Sequence, residues 1–483
     1  MRPGGHVRRM PFSSVYRSDP RLQTLGRDFA DPVRAADFPM VRLRFRNDRA
    51  AETVGLSDLT DDEWTRHFGR FAPLPDNLDP PLAQRYHGHQ FRVYNPDLGD
   101  GRGFTFAQLR EAGSGRLLDL GTKGSGVTPW SRSGDGRLTL KGGVREVLAA
   151  AMLEALGVPT SRALSLVETG ESLVRQDEPS PTRSAVLVRL SHSHIRFGTF
   201  QRPAALGRPE LVQQLTGYTL EHYFPHRVGA ADPGVALLEE ACAGAARLTG
   251  AWMAAGFVHG VLNTDNMNVT GESFDYGPYR FLPHNDPNFV AAYFDHSGLY
   301  SFGRQPEAVF WNLQQLAGAL AGAGAPEADL IDVLNGFGER YRAGLTAAML
   351  CRLGLAPRDP EADARLVGSA FRALASAGPE LRWEPFFFDW FCGDAGRALS
   401  GVRGDLYRGE GFADFRREVE GATPDRSDRL GHPMFSRAEP VELLVDQIEA
   451  VWDDIARHDD WTAFEGLLAD IEGARRAWDL QPG

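Results

Sequence analysis

Lysine is almost missing from this chain: of 52 basic residues, only Lys123 and Lys141 are lysine. An ammonium is a compact point charge that a forked guanidinium does not imitate at a crowded phosphate, so a lysine kept against this bias marks its surroundings. Lys141, in an edge-like segment before a helix, reads as chance survival; Lys123 does not. Cysteine is scarce too. Cys242, Cys351 and Cys392 are far apart with no Cys-x-x-Cys spacing, which argues against a disulfide framework or a zinc site and fits a reducing, cytoplasmic compartment. No run of about eighteen apolar residues is present, so no helical membrane span is expected. Positive charge is in deficit, and a net charge of −12 argues against a nucleic-acid partner or an anionic membrane surface. With 483 residues the chain exceeds what one core supports, and two or three units in a monomer are expected.

What is present centres on His259-Gly-Val-Leu-Asn-Thr-Asp-Asn266, followed by Phe274-Asp275-Tyr276-Gly277. A kinase catalytic loop reads His-Arg-Asp, with Asn seven positions after the His and an Asp-x-Gly further on. The spacing from His259 to Asn266 is kept, but Val261 stands where the proton-accepting Asp belongs, and its side chain neither titrates nor hydrogen-bonds. Asn266 and Asp275 offer the hard oxygen ligands that Mg²⁺ or Mn²⁺ takes beside nucleotide phosphates and water. Asp265 is a displaced carboxylate beside them. Residues 267–269 and 273–275 read as two short strands around a turn at Gly271, which would bring Asn266 and Asp275 side by side. A plain surface turn is the alternative.

Upstream, residues 1–21 read as a disordered or extended tail, although Arg2, Arg8, Arg9 and Arg17 also suit a transit peptide. Val41, Leu43 and Phe45 alternate as a strand, and a short helix ends at Gly55. Gly99-Asp-Gly-Arg-Gly103 is a flexible turn suited to an anion, with Arg102 adding charge. Strands follow at Phe104–Leu109 and at Leu118–Lys123, with further turns at Gly124-Ser-Gly126 and Gly134-Asp-Gly-Arg137. An apolar stripe predicts a helix over Val144–Leu156, stopped by Gly157 and Pro159. On it, Glu146 either pairs with Lys123, as in a kinase-like fold, or is a solvated first-turn residue. Strands are expected at Ala163–Glu168 and Ser184–Leu190, and Arg189 and Arg196 suit bidentate clamping of phosphate oxygens. His192 and His194 read as turn or packing residues. Beyond Phe200 helices dominate, at Leu211–His222, Pro233–Gly256 and around Leu444, Ile448, Val451 and Ile455, while Phe386-Phe-Phe-Asp-Trp-Phe391 reads as core.

Taken in order, Gly-His-Gln-Phe (88–91), Leu-Gly-Asp-Gly-Arg-Gly (98–103), Lys-Gly-Ser-Gly-x-Thr-Pro (123–129), Ser-Arg-x-Gly-Asp-Gly-Arg (131–137), Arg-Glu (145–146), Gly-Val-Pro-Thr-x-Arg-Ala-Leu-Ser (157–165), Ser-His-x-Arg-Phe-Gly (193–198) and His-Gly-Val-x-Asn-Thr-Asp-Asn-Met (259–267) resemble the selenoprotein O family. The resemblance is close over residues 38–320 and looser elsewhere. It implies an α+β, protein-kinase-like two-lobed fold: a tail at 1–21, an N-lobe at 22–200 with an antiparallel sheet and nucleotide loops, and a helical C-lobe with a C-terminal extension at 201–483. It also implies transfer of AMP from ATP to Ser, Thr or Tyr hydroxyls of proteins, the enzyme itself included.

By the same resemblance, Gly99, Gly101, Arg102, Lys123, Asp135 and Gly136 touch nucleotide, and Arg189 and Arg196 hold phosphates. Glu146 holds Lys123, Asp265 accepts the proton, and Asn266 and Asp275 bind the metal, with Asp275 also at the nucleotide. ATP lies flipped relative to a kinase, which accounts for the vacant place at Val261. Two departures stand out. The end Trp478-Asp-Leu-Gln-Pro-Gly483 and the pair Ala291-Ala292 lack the cysteines that some members use for redox control, and Arg92 stands where the family commonly has Gly. Two rivals stay open: a nucleotide-binding scaffold without activity, and an ordinary phosphotransferase using Asp265 as base.

Overall fold

The computed structural model describes residues 12–176 and 178–480. Its first part carries the strands β1 (Ala30–Pro32), β2 (Arg42–Arg46), β3 (Leu82–Gln84), β4 (Gly88–Gln90), β5 (Val93–Asn95), β6 (Thr105–Arg110), β7 (Leu117–Lys123), β8 (Leu138–Thr139), β9 (Arg162–Leu173) and β10 (Thr182–Ser191). Eight of them form one sheet in the order β1-β3-β6-β7-β10-β9-β2, with β8 beside β10 and every pair antiparallel. β4 and β5 form a separate hairpin.

Both faces of the central strands are covered, and the two-residue period of a strand divides their side chains cleanly. Leu118 and Leu120 of β7, with Val186 and Val188 of β10, pack against Trp64, Phe68 and Phe106. Leu117, Ala185 and Leu187 face the other core, under the helix Leu140–Ala155. Asp119, Gly121 and Lys123 share that second face. Strand pairing sets Arg189 of β10 directly opposite Gly121.

The helix bearing Glu146 starts at Leu140, four residues ahead of the expected Val144, because Thr139 caps it by accepting the Gly142 N–H at 3.1 Å. The glycines do not break it. A Cβ on Gly143 would lie 2.4 Å from Leu166 Cδ1, so that glycine is what lets helix and sheet approach. Gly157, at φ 76°, ends the helix as expected.

The expected hairpin after Asn266 does not form. A turn is present, with the Gly271 N–H on the Asn268 carbonyl at 3.1 Å, but its arms pair with other segments. Asn268 bridges Arg196 and Ser273 bridges Thr160. The reason lies in packing: buried backbone at Ile195–Phe197 and Pro159–Ser161 offers each arm its own partners, at 2.9–3.0 Å.

Helices dominate from Phe197 onward, and the block around Phe386–Phe391 is buried as expected. Of residues 1–21, the first eleven lie outside the described residues. The rest run along the sheet, with Ser18 bridging Leu109 and Asp19 paired to Arg110 at 2.7 Å. The last two helices, Val445–His458 and Thr462–Trp478, return to the sheet-bearing part. Lys141 meets Glu449 at 2.7 Å, and Asp459 binds Arg42, Arg44 and Arg183 at 2.7–3.0 Å. Among the described residues, no helix is long and apolar enough to cross a membrane.

Candidate active site

A cleft of about 780 Å³ opens between the sheet, the glycine turns and the loop His259–Asn266. Its floor is ionic. Lys123 and Glu146 are both buried and joined by a short ion pair, so Glu146 is not the solvated residue that a first-turn position allowed. Asp275 sits at the centre: one oxygen takes Arg189 and lies 3.5 Å from the Lys123 ammonium, and the other accepts from Arg196 at 3.0 Å. Burial alone would raise its carboxyl, but Arg189, Lys123 and Arg196 outweigh that cost and hold it well below the usual carboxylate range. Its backbone is left-handed, at φ 59°. Such a conformation is held by its surroundings, and three cations on one carboxylate supply the hold.

Asp265 touches this cluster through its backbone carbonyl, which accepts from Arg196 at 3.3 Å, while its carboxylate points elsewhere. Its Oδ2 accepts from Gln90 Nε2 at 3.4 Å, while Oδ1 is buried without a hydrogen-bond partner among the described residues. Burial pushes its carboxyl up to about 6, against the pull of Arg196. A carboxylate poised near neutrality with a free lone pair suits a general base. Val261, two residues after His259, lines the same cleft and brings no polar group to it.

The loop is fixed from several sides. His259 Nε2 bonds the Phe274 carbonyl at 3.0 Å, which ties the loop to the segment carrying Asp275. Thr264 Oγ1 accepts the His89 N–H at 2.7 Å, and Asn263 Oδ1 accepts the Phe91 N–H at 3.1 Å, so the β4–β5 hairpin clasps the loop. At its tip Phe91 and Arg92 both have positive φ, 51° and 63°. Arg92 occupies a glycine-like conformation, compensated by Glu307 at 2.7 Å and by the Trp311 ring at 5.6 Å.

The glycine turns behave differently from a simple phosphate cradle. Gly99 and Gly101 line the cleft, but Trp130 is what demands them: a Cβ on Gly99 would lie 2.3 Å from the Trp130 ring, and one on Gly101 2.9 Å from its carbonyl. Arg102 is exposed at the rim. Asp135 is exposed as well, and its carboxylate is bound by Arg175 at 2.8 and 3.0 Å. Gly136, at φ 68°, leaves no space for a side chain against Gly126. Sequence reasoning missed two residues. Asp100 receives the Gln84 N–H at 2.9 Å and Arg196 at 3.3 Å, and so aims that arginine. Gln90 reaches Asp265. Both lie inside sequence motifs, Asp100 between two glycines and Gln90 after a histidine, where nothing local marks them.

Asn266 and Asp275 bring an amide and a carboxylate to the cleft, and both oxygens of Asp275 already meet Arg189, Lys123 or Arg196. The Asn266 Nδ2 donates to the Val261 carbonyl at 2.9 Å, which fixes the amide and leaves its oxygen as the free donor, and Asp275 is kept ionised. Among the described residues no group of three His, Cys, Asp or Glu could hold a metal, so two protein ligands with phosphates and water would have to suffice. Changing Lys123 to Arg should lower turnover by about 10²–10³-fold despite equal charge, because a fork does not fit beside Glu146 and Asp275. Steady-state kinetics would check this, and near-normal turnover would remove Lys123 from the site.

A family model described as protein adenylyltransferase SelO matches residues 14–472. The protein nucleotidyltransferase YdiU of Gloeobacter violaceus is 47% identical over 468 residues, covering 94% of each chain. The YdiU protein of Synechocystis sp. is 44% identical over 477 residues, covering 94% of this chain and 97% of its own. That of Synechococcus elongatus is 43% identical over 471 residues, covering 93% of this chain and 94% of its own. A match over nearly the whole chain, with relatives of almost equal extent, shows that the chain belongs to the protein adenylyltransferase SelO family.

Proposed function

We propose that this protein transfers AMP from ATP to Ser, Thr or Tyr hydroxyls of proteins, its own included, within a kinase-like two-lobed frame. One observation carries the reading: the cations Lys123, Arg189 and Arg196 converge on Asp275, whereas the loop's one carboxylate, Asp265, has an oxygen without a hydrogen-bond partner among the described residues, and Val261 leaves the usual kinase base position empty. ATP then lies reversed, with its pyrophosphate end toward the three cations and its α-phosphorus toward the acceptor.

The acceptor hydroxyl oxygen attacks the α-phosphorus, its proton passes to Asp265 Oδ1, and the bond from the α-phosphorus to the bridging oxygen breaks to release pyrophosphate. Positioning and charge neutralisation supply most of the rate in such an in-line displacement. Mg²⁺ or Mn²⁺, held by Asn266 and Asp275, would neutralise phosphate charge as it develops. Arg189 and Arg196 orient phosphate oxygens, and Glu146 holds Lys123 in place.

ATP labelled on the α- or the γ-phosphate tests this directly. Label from the α-phosphate on protein, lost on chelation and restored by Mg²⁺ or Mn²⁺, is the expected result. Transfer of γ-label would instead make Asp265 the base of an ordinary phosphotransferase, and no transfer would favour a nucleotide-binding scaffold.

A further inference from the structure

Tyr86 lines the cleft and takes no part in the reaction described so far. The residue is 8% exposed, and its hydroxyl has no hydrogen-bond partner among the described residues. Unlike the hydroxyls of Tyr218 and Tyr223, it is not sealed from solvent. A nearly buried phenol normally finds a partner, so one left open in a cleft wall is a donor that a ligand can complete.

Its placement is built from both chain neighbours. Arg85 donates its N–H to the Phe29 carbonyl at 2.7 Å, and the His87 N–H reaches the Gly198 carbonyl at 3.2 Å. A Cβ on Gly198 would lie 2.1 Å from the His87 carbonyl oxygen, so glycine there is what lets the Tyr86 segment close on the helix that follows Arg196. The Arg196 guanidinium lies over the Tyr86 ring, 4.6 Å from its centroid, and 4.8 Å from that of Phe274.

The charges around the hydroxyl decide what it can do. Burial raises the phenol well above its ordinary range, and Asp100, Asp265 and Asp275 push it the same way against the pull of Arg196, so the O–H stays protonated. Tyr86 does not bond Asp265, whose Oδ1 is itself unpartnered among the described residues, so a neutral donor and a base share the cleft without meeting. An anionic oxygen entering beside three carboxylates needs a donor on that side, and a neutral phenol supplies one that none of them neutralises.

We propose that Tyr86 is a further catalytic residue, its phenol donating to a non-bridging oxygen of the α-phosphate while its ring backs Arg196. The phenol keeps its proton throughout, and the acceptor's proton still goes to Asp265. The inference rests on the reversed-ATP reading for which phosphate is held, but not for the contact itself.

Calorimetry of the full chain with α,β-methylene ATP and with inorganic pyrophosphate, each with Mg²⁺, tests it apart from turnover. Tyr86→Phe removes only the O–H and keeps the ring against Arg196. It should weaken the nucleotide about 10-fold and leave pyrophosphate, which has no α-phosphate, within about twofold of wild type. In the same variant kcat/KM for α-label transfer should fall about 10- to 100-fold with the thermal midpoint unchanged. Tyr86→Leu, which also removes the ring, should weaken pyrophosphate as well. Equal weakening of nucleotide and pyrophosphate in Tyr86→Phe would put the other end of ATP at Tyr86, sinking the reversed-ATP reading and leaving the contact standing. Wild-type affinity for both ligands in Tyr86→Phe would overturn the proposal, as would absence of nucleotide binding to the wild type. Losses in Tyr86→Phe that follow a fall in the thermal midpoint would overturn it too, since they would make Tyr86 a packing residue.

Discussion

Asp275→Ala is expected to abolish AMP transfer and to destabilise the ligand-free protein by about 3–5 kcal/mol, the usual cost of stripping one partner from a buried ion cluster. Loss of a metal ligand alone would leave the fold untouched. Here the carboxylate also neutralises Arg189, Arg196 and Lys123, all three buried, and without it these cations face one another. Part of the lost stability should return when pyrophosphate or ATP enters, because an anion that binds only the folded state stabilises it. Thermal melts with and without pyrophosphate would check this, with Asp275→Asn as the control that keeps volume and drops charge. A variant with the wild-type midpoint and measurable transfer would mean that the cluster does not depend on Asp275.

Asp265→Ala should lower AMP transfer about 10²–10⁴-fold, the range of a positioned general base, while ATP binding and the thermal midpoint stay near wild type. The structure predicts no stability cost. The Asp265 carboxyl is buried with one oxygen unpartnered and is pushed up by that burial, so its removal relieves a desolvation penalty rather than breaking a cluster. The contrast with Asp275 is itself a test, since two carboxylates of one cleft should differ in opposite respects. Val261→Asp probes the vacant position. With the α-phosphorus toward the acceptor, a carboxylate there meets no γ-phosphoryl acceptor and should not create phosphate transfer. Appearance of γ-label on protein in Val261→Asp, or unchanged α-label transfer in Asp265→Ala, would mean that the loop has been misread.

Local pattern was legible wherever it alone decides structure. β7 and β10 are short apolar runs, and the helix of Glu146 has its stripe and its stop, so element types could be read; the ends of these strands moved by one or two residues and the helix start by four, because a capping threonine outweighed two glycines. Lys123 was legible by rarity, and Glu146 by its place on the helix that follows. What could not be read depends on segments far apart in the chain. The arms around Gly271 look like a hairpin in isolation, yet each finds a better partner near Ile195 or Pro159. Asp100 is one more acid in a glycine turn until Gln84 and Arg196 are seen to converge on it. The glycines at 99 and 101 suggested space for an anion, while the atoms nearest them belong to Trp130.

The docking of the last two helices on the Glu146 helix carries a consequence for how the protein is made. During synthesis the strands and that helix emerge early, but its outer face stays bare until the segment from Val445 to Trp478 has left the ribosome. At roughly 5–20 residues per second this leaves an apolar surface open for tens of seconds. The bond between Asp459 and three arginines of the first strands and β10 then closes the two ends of the molecule on each other. A chain cut short before these helices would therefore carry every residue lining the cleft without the support behind the Glu146 helix.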